Sequence, residues 1–338
     1  MGRLRGLVHG ALWLTTLGVV GLVVTVVILD GGGPPPLVAA RTNPTAPMVH
    51  RIMTTFAAPH RNLMARVIPA ADLPVPALLP IGVTAPEDCE AAAFAGAARV
   101  NAVSLTALIW SPFRRPETGW EIYAPSVGRE IGAACGPESG RFAEALARWQ
   151  TAHRLTATGV LDEAAFMIMR NRWALARPFV WLTGGGGCPP GPTEADLASA
   201  LPTESYAGKA IRLTRGSLAG YRRMVAAARA EKPEIAADRR LLAILSGYRS
   251  PEADAARCVR DNNCDTVARA ACSAHRTGQA VDLALDAIPG HRPDSTVDVD
   301  RLRLVRSPAY LWMIARAGDF GFVNYPFEPW HWEWTGRE

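Results

Sequence analysis

Among the 338 residues there is no long lysine and arginine run and no basic stretch interleaved with aromatics, so a nucleic-acid surface is not expected. Cysteine never recurs at the C-x2-C spacing of a structural zinc knuckle. The glycine run Gly184–Gly187 lacks the Gly-Lys-Ser/Thr ending of a phosphate-binding loop, which leaves it as a loop alone. Only one apolar run is long enough to cross a bilayer, which excludes a multi-span transporter. No long internal repeat is evident. Charge of either sign is scarce in excess: 36 Lys and Arg against 31 Asp and Glu leave +5. What is present is 49 % apolar and 20 % charged, the balance of a folded chain, at a length that suits about two domains.

The amino terminus sets the expected compartment. Arg3 and Arg5 precede an apolar run from Leu7 to Leu29. That run matches the roughly 20 residues needed to span the hydrocarbon core and exceeds the roughly 7–15 of a signal-peptide core. Positive charge on the short leading end favours keeping that end cytoplasmic. The expectation is a single-pass inner-membrane protein, anchored by residues 1–30, with its bulk periplasmic or otherwise extracytoplasmic. A cleaved secretory signal is the alternative, with Val38-Ala39-Ala40 as a small-residue cleavage site. Six cysteines fit export by either route, and a disulfide framework is expected. The pairing expected joins Cys89 to Cys135 and the remaining four, Cys188, Cys258, Cys264 and Cys272, to one another near the carboxy-terminal site.

Residues 31–86 begin Gly-Gly-Gly-Pro-Pro-Pro and stay proline-dotted, which reads as a tether. From 87 to 175 the pattern is helical. Phe142, Leu146 and Trp149 recur at i, i+4 and i+7, and Asp162 is placed to cap a helix carrying Phe166 and Met167. The string from Phe142 to Gln150, followed by Leu155-x-x-Thr-Gly-Val-Leu-Asp162, resembles the small three-helix peptidoglycan-binding module. Residues 176–204 read as a linker. In 205–338 Ser217 is placed to cap a helix with Leu218, Tyr221, Met224, Val225 and Ala228 inward. Leu241–Leu245 reads as a buried strand, and Gln279–Leu285 alternates as a second. Ser307-Pro308 starts a helix with Leu311 and Ile314 inward, and Trp330, Trp332 and Trp334 share a strand face opposite His331 and Glu333. Separate helices and strands without regular βαβ units predict an α+β fold. Asp261–Asp265 lacks the spacing and glycine of a calcium-binding EF-hand loop and reads as a disulfide-linked loop.

Two of the seven histidines stand in patterns that carry chemistry. His275 precedes the strand carboxylate Asp282 by one short loop, and Glu328-Pro-Trp-His331 adds a second imidazole behind another carboxylate. Two histidines and a carboxylate make a three-ligand set that leaves Zn²⁺ an open fourth position for water.

Ser246-Gly-Tyr-Arg-Ser250, Ser-x-His-x-x-Gly-x-Ala-x-Asp at 273–282 and Glu-Pro-Trp-His-Trp-Glu at 328–333 resemble, in order, the three motifs of VanY-type D-alanyl-D-alanine carboxypeptidases. Those enzymes belong to the zinc peptidase superfamily that includes lysostaphin-like enzymes and the hedgehog signalling domain. The resemblance spans 205–338. It implies a domain with a central antiparallel sheet, Zn²⁺ held by His275, Asp282 and His331, and Glu328 as the general base for the attacking water. It also implies that Arg249 supports the scissile carbonyl, that Ser273 helps hold substrate, and that Gly278 and Ala280 keep the wall beside the metal small. The expected activity is removal of the terminal D-alanine from peptidoglycan stem peptides, with the helical module tethering catalysis to the wall. The alternatives are a peptidoglycan endopeptidase of the same superfamily and a non-catalytic, zinc-containing wall-binding scaffold.

Overall fold

A computed structural model describes residues 89–260, 264, 272–288 and 290–337. The anchor expected over Leu7–Leu29, the tether 31–86 and most of the loop Asp261–Asp265 lie outside the described residues. Among the described residues no helix is long and apolar enough to cross a membrane.

The chain opens with helix α1 (Ala95–Ala107), the short pair β1 (Ile109–Trp110) and β2 (Glu117–Thr118), and α2 (Ala124–Ile131). Helix α3 (Gly140–Ala152) begins where Ser139 Oγ accepts the Phe142 N–H at 3.2 Å, a cap worth about 1 kcal/mol. Its face of Phe142, Leu146 and Trp149 is buried as its spacing predicts. Helix α4 (Glu163–Ala176) is capped by Asp162, whose Oδ1 accepts the Ala165 N–H at 2.8 Å. Phe166 is buried, but Met167 is 40 % exposed and Met169 takes the core position instead. A five-residue helix, α5 (Pro178–Leu182), follows directly.

Residues 176–204 thus carry α5 and also β3 (Leu197–Ser199), which pairs antiparallel with β4 (Arg212–Thr214). Helix α6 (Arg215–Glu231) buries Leu218, Tyr221, Met224, Val225 and Ala228. Its cap is Thr214, not Ser217: the Thr214 Oγ1 accepts from the Ser217 N–H, which puts Ser217 inside the first turn. After α7 (Pro233–Ala237) the chain turns at Leu242, where φ is +63°, so β5 (Ile244–Ser246) starts later than the apolar run suggests. Helix α8 (Pro251–Arg260) leads towards β6 (Ala280–Leu283), and α9 (Asp298–Val305) and α10 (Pro308–Arg316) follow. Ser307 Oγ caps α10 at 3.1 Å from the Tyr310 N–H. Leu311 is 48 % exposed rather than inward; Tyr310, Trp312, Met313 and Ile314 fill that side.

Strands β7 (Phe322–Tyr325) and β8 (Glu328–Trp334) complete a four-stranded antiparallel sheet in the order β5-β6-β8-β7. The fold is therefore α+β, built on small antiparallel sheets. Strand β8 is interior, and every residue from Pro329 to Trp334 is buried. Residues far apart in sequence pack on the turn that leads into it. Phe113 packs 5.4 Å from Phe327 and 5.8 Å from Tyr325, ring centre to ring centre. Arg301, fully buried, donates to Tyr123 Oη at 2.6 Å, Glu117 Oε1 at 3.2 Å and the Phe327 carbonyl at 2.9 Å. The helical region and the sheet region share one apolar core and one compact unit.

The six cysteines form three disulfides, Cys89–Cys135, Cys188–Cys272 and Cys258–Cys264. The first pairing is the one expected. Cys188–Cys272 ties the stretch before β3 to the residue preceding Ser273.

Candidate metal centre

Strands β6 and β8 run side by side with Asp282 opposite His331. That register alone brings a carboxylate of one motif against an imidazole of another. His331 Nδ1 lies 2.8 Å from Asp282 Oδ1. On the other side His275 Nε2 lies 3.1 Å from Asp282 Oδ2. His275 reaches this point from a 3-10 turn, Ala274–Thr277, that ends at Gly278 with φ +68°. A Cβ on Gly278 would stand 3.1 Å from Thr214 and 3.2 Å from Pro192. Gly278 is thus required by a left-handed turn packed on β4, and not to keep the metal's wall small.

The ring of His275 is oriented by its other nitrogen, Nδ1, which lies 2.8 Å from the Gly247 carbonyl. Gly247 is needed here for a close approach, since a Cβ would sit 2.6 Å from the Arg212 carbonyl. The two imidazoles meet edge to face, 5.1 Å between ring centres.

One ligand atom from each of His275, Asp282 and His331 falls within 4.8 Å of the others, which makes the three a set able to hold a metal ion. Bonds of about 2.0–2.1 Å to a tetrahedral ion put ligand atoms roughly 3.3 Å apart. His275 stands 3.1 Å from one Asp282 oxygen and His331 2.8 Å from the other, each near that value. The donors are the nitrogen and oxygen types that zinc takes. The fit is good.

The charges of these side chains compensate one another. Burial alone would raise the Asp282 carboxyl, but the positive charge of His275 and hydrogen bonds from both imidazoles hold it well below the usual carboxylate range. Burial would lower His331, yet its hydrogen bond to Asp282 and the nearby carboxylates of Asp282 and Glu333 lift it to about 9. Glu333 is held at about 2: burial opposes ionisation, and His331, Arg177 and the Phe179 N–H overcome it.

The other expected residues form a neighbouring cluster. Arg249 Nη1 donates to Asp254 Oδ1 and to Ser273 Oγ, each at 3.1 Å. Ser273 donates its hydroxyl to Asp254 Oδ1 at 2.8 Å and its backbone N–H to Oδ2 at 2.7 Å. The Arg249 N–H also donates to the His275 carbonyl at 3.1 Å, so the cluster is tied to the turn that carries His275. Glu328 stands at the head of β8, half-buried, opposite Tyr325 and outside the three converging atoms. The register shifts between Asn324 and Tyr325, so residues 329–331 bulge and the simple alternation of a strand does not carry back to Glu328. Asn324 Nδ2 stabilises that bulge by donating to the Pro329 and His331 carbonyls at 3.2 and 3.0 Å.

No family model and no curated protein matches the chain.

Two buried acids at the site were assigned no role by the motifs: Asp254, which lies outside them, and Glu333, which ends the third. Asp254 is 5 % exposed and organises Arg249 and Ser273. In sequence it is an acid in the first turn of a helix, a position that ordinarily means only a favourable dipole contact. Glu333 had a usable signal, because it lies two residues after His331 and so shares its strand face.

Proposed function

We propose that the chain is an extracytoplasmic zinc peptidase that removes the terminal D-alanine from peptidoglycan stem peptides. The observation that supports this best is the convergence of His275, Asp282 and His331, drawn from two separate motifs, on one point within 4.8 Å. The order and spacing of the three motifs resemble the VanY-type carboxypeptidases, whose central antiparallel sheet has a counterpart in β5-β6-β8-β7.

In this reading His275 Nε2, an Asp282 oxygen and His331 Nδ1 hold Zn²⁺. Bound there, the ion supplies Lewis-acid chemistry, making a water acidic and polarising a peptide carbonyl. Glu328 takes the proton of the attacking water and delivers it to the leaving amine. Arg249, kept in place by Asp254 and Ser273, supports the carbonyl oxygen as it gains negative charge. Ser273 keeps its hydroxyl on Asp254, so its contribution to substrate is through Arg249. The helical region, residues 87–175, serves as the wall-binding part, and Leu7–Leu29 as the membrane anchor.

The test is a digest of purified muropeptides by the zinc-loaded protein, read by mass spectrometry. Loss of a single alanine from pentapeptides, blocked by a chelator, is the expected result. Conversion of cross-linked dimers into monomers would make the chain an endopeptidase. Binding to sacculi with no bond cleaved would leave only a scaffold.

A further inference from the structure

Glu333 and Arg177 have no part in the reaction just described, yet they meet against a metal-ligating histidine. Glu333 is 2 % exposed. Its Oε1 accepts from Arg177 Nε at 2.6 Å, and its Oε2 accepts the Phe179 N–H at 2.9 Å. The same Oε1 lies 3.5 Å from His331 Nε2, the nitrogen that faces away from Asp282. Arg177 is itself held on a second side, its guanidinium 4.1 Å from the centre of the Tyr325 ring. Pro178 follows it at the start of α5, where a missing N–H costs nothing, and this turns the next free N–H, that of Phe179, onto Glu333.

An imidazole that binds a metal through one nitrogen commonly gives the N–H of the other to a carboxylate or carbonyl, which fixes its tautomer and ring plane. For His275 the Gly247 carbonyl has that position. We infer that Glu333, clamped by Arg177 and the Phe179 N–H, is the positioning residue for His331, fixing which nitrogen faces the metal. The clamp comes from residues 177–179, outside the region 205–338 that carries the three motifs. The site is therefore completed by the segment that directly follows the helical region, which ties that region to the metal centre. This inference rests on His331 being a metal ligand.

The experiment measures zinc affinity by competition with a chromophoric chelator, and the visible spectrum of the cobalt(II)-loaded protein. It compares the full chain with Glu333→Gln, Arg177→Ala and Arg177→Lys, with thermal midpoints recorded alongside. Glu333→Gln and Arg177→Ala should weaken zinc by about tenfold or more and shift the cobalt bands. Arg177→Lys should recover part of the loss, since it keeps the charge but not the flat guanidinium. Wild-type zinc affinity and an unchanged cobalt spectrum in folded Glu333→Gln and Arg177→Ala would overturn the positioning role while leaving the metal site standing. A wild-type protein that binds no zinc would instead bring down the underlying metal reading, and the inference with it. Should the first two variants not fold, Arg177→Lys decides by the same two readouts.

Discussion

Buried polar side chains occur in both the helical and the sheet regions, and they are wired differently. In the helical region the fully buried amides Asn101 and Gln150 bond mainly to backbone, with Gln150 also donating to Thr158 Oγ1. Asn101 Nδ2 donates to the Gly159 carbonyl at 2.8 Å while its Oδ1 accepts the Leu161 N–H at 2.9 Å. Gln150 Oε1 accepts the Gly159 N–H at 2.8 Å and its Nε2 donates to the Val160 carbonyl at 3.0 Å. Together they clamp the turn before α4. In the sheet region His275, Asp282, His331 and Glu333 are instead directed at one another. Neutral amides closing a turn bury no charge and hold the backbone. Ionisable groups whose lone pairs converge bury charge and leave a place for a cation, and only the second arrangement suggests chemistry.

Substitutions should separate the two kinds of wiring. The largest effects belong to the converging groups. His275→Ala or His331→Ala would remove one of the three proposed ligands, and both zinc retention, measured by metal analysis, and turnover should be lost. Glu328→Gln should keep its zinc and slow peptide hydrolysis by about 10²–10⁴-fold, the usual contribution of a general acid or base. Wild-type turnover by that variant in zinc-loaded form would sink the assignment of the base.

Next comes the arginine that joins the two regions. Arg301→Ala leaves Glu117, which is 4 % exposed, buried without its guanidinium. Breaking such a pair costs about 3–5 kcal/mol, to be read from denaturant unfolding. Smaller again is the effect expected for the turn-closing amides. Asn101→Ala or Gln150→Ala should cost about 1–3 kcal/mol of stability and leave zinc affinity untouched, because what is lost is a bond to backbone. A loss of zinc in either variant would erase the distinction between the regions.

The smallest effect tests a contact between them. Tyr310 is fully buried, with its Oη 3.4 Å from Ser126 Oγ of α2 and 3.3 Å from Asn324 Oδ1 of β7. Burial pushes its phenol up from 10.0 to about 12. The folded protein therefore holds that proton longer than the unfolded chain does. The stability it contributes is complete below pH 10 and drains away between pH 10 and 12, by at most about 1.4 kcal/mol per pH unit. Comparing alkaline unfolding of wild type with Tyr310→Phe checks this: the variant should lose less stability over that interval.

The parts legible in sequence were those set by short-range pattern. The caps at Asp162 and Ser307, the buried face of α6 and the alternation around Asp282 follow from residue type and period alone. His275, Asp282 and His331 were legible because each sits in a motif of fixed spacing. Three kinds of feature were not. Thr214 displaced Ser217 as a cap because β4 runs straight into α6, a boundary fixed by pairing with β3. Leu311 and Met167 face outward because the helical period turns other residues inward: Tyr310, Met313 and Ile314 on one helix, Phe166 and Met169 on the other. Asp254 and Arg177 gave no local signal, since their partners lie on other elements and only the folded chain brings them together.

The central claim, that these converging side chains form a metal centre, is tested most directly by anomalous diffraction at the zinc absorption edge from crystals of the zinc-loaded protein. The account predicts one strong peak within bonding distance of His275 Nε2, an Asp282 oxygen and His331 Nδ1. Zinc-saturated crystals with no anomalous peak between those three side chains, or with the only peak elsewhere, would contradict it.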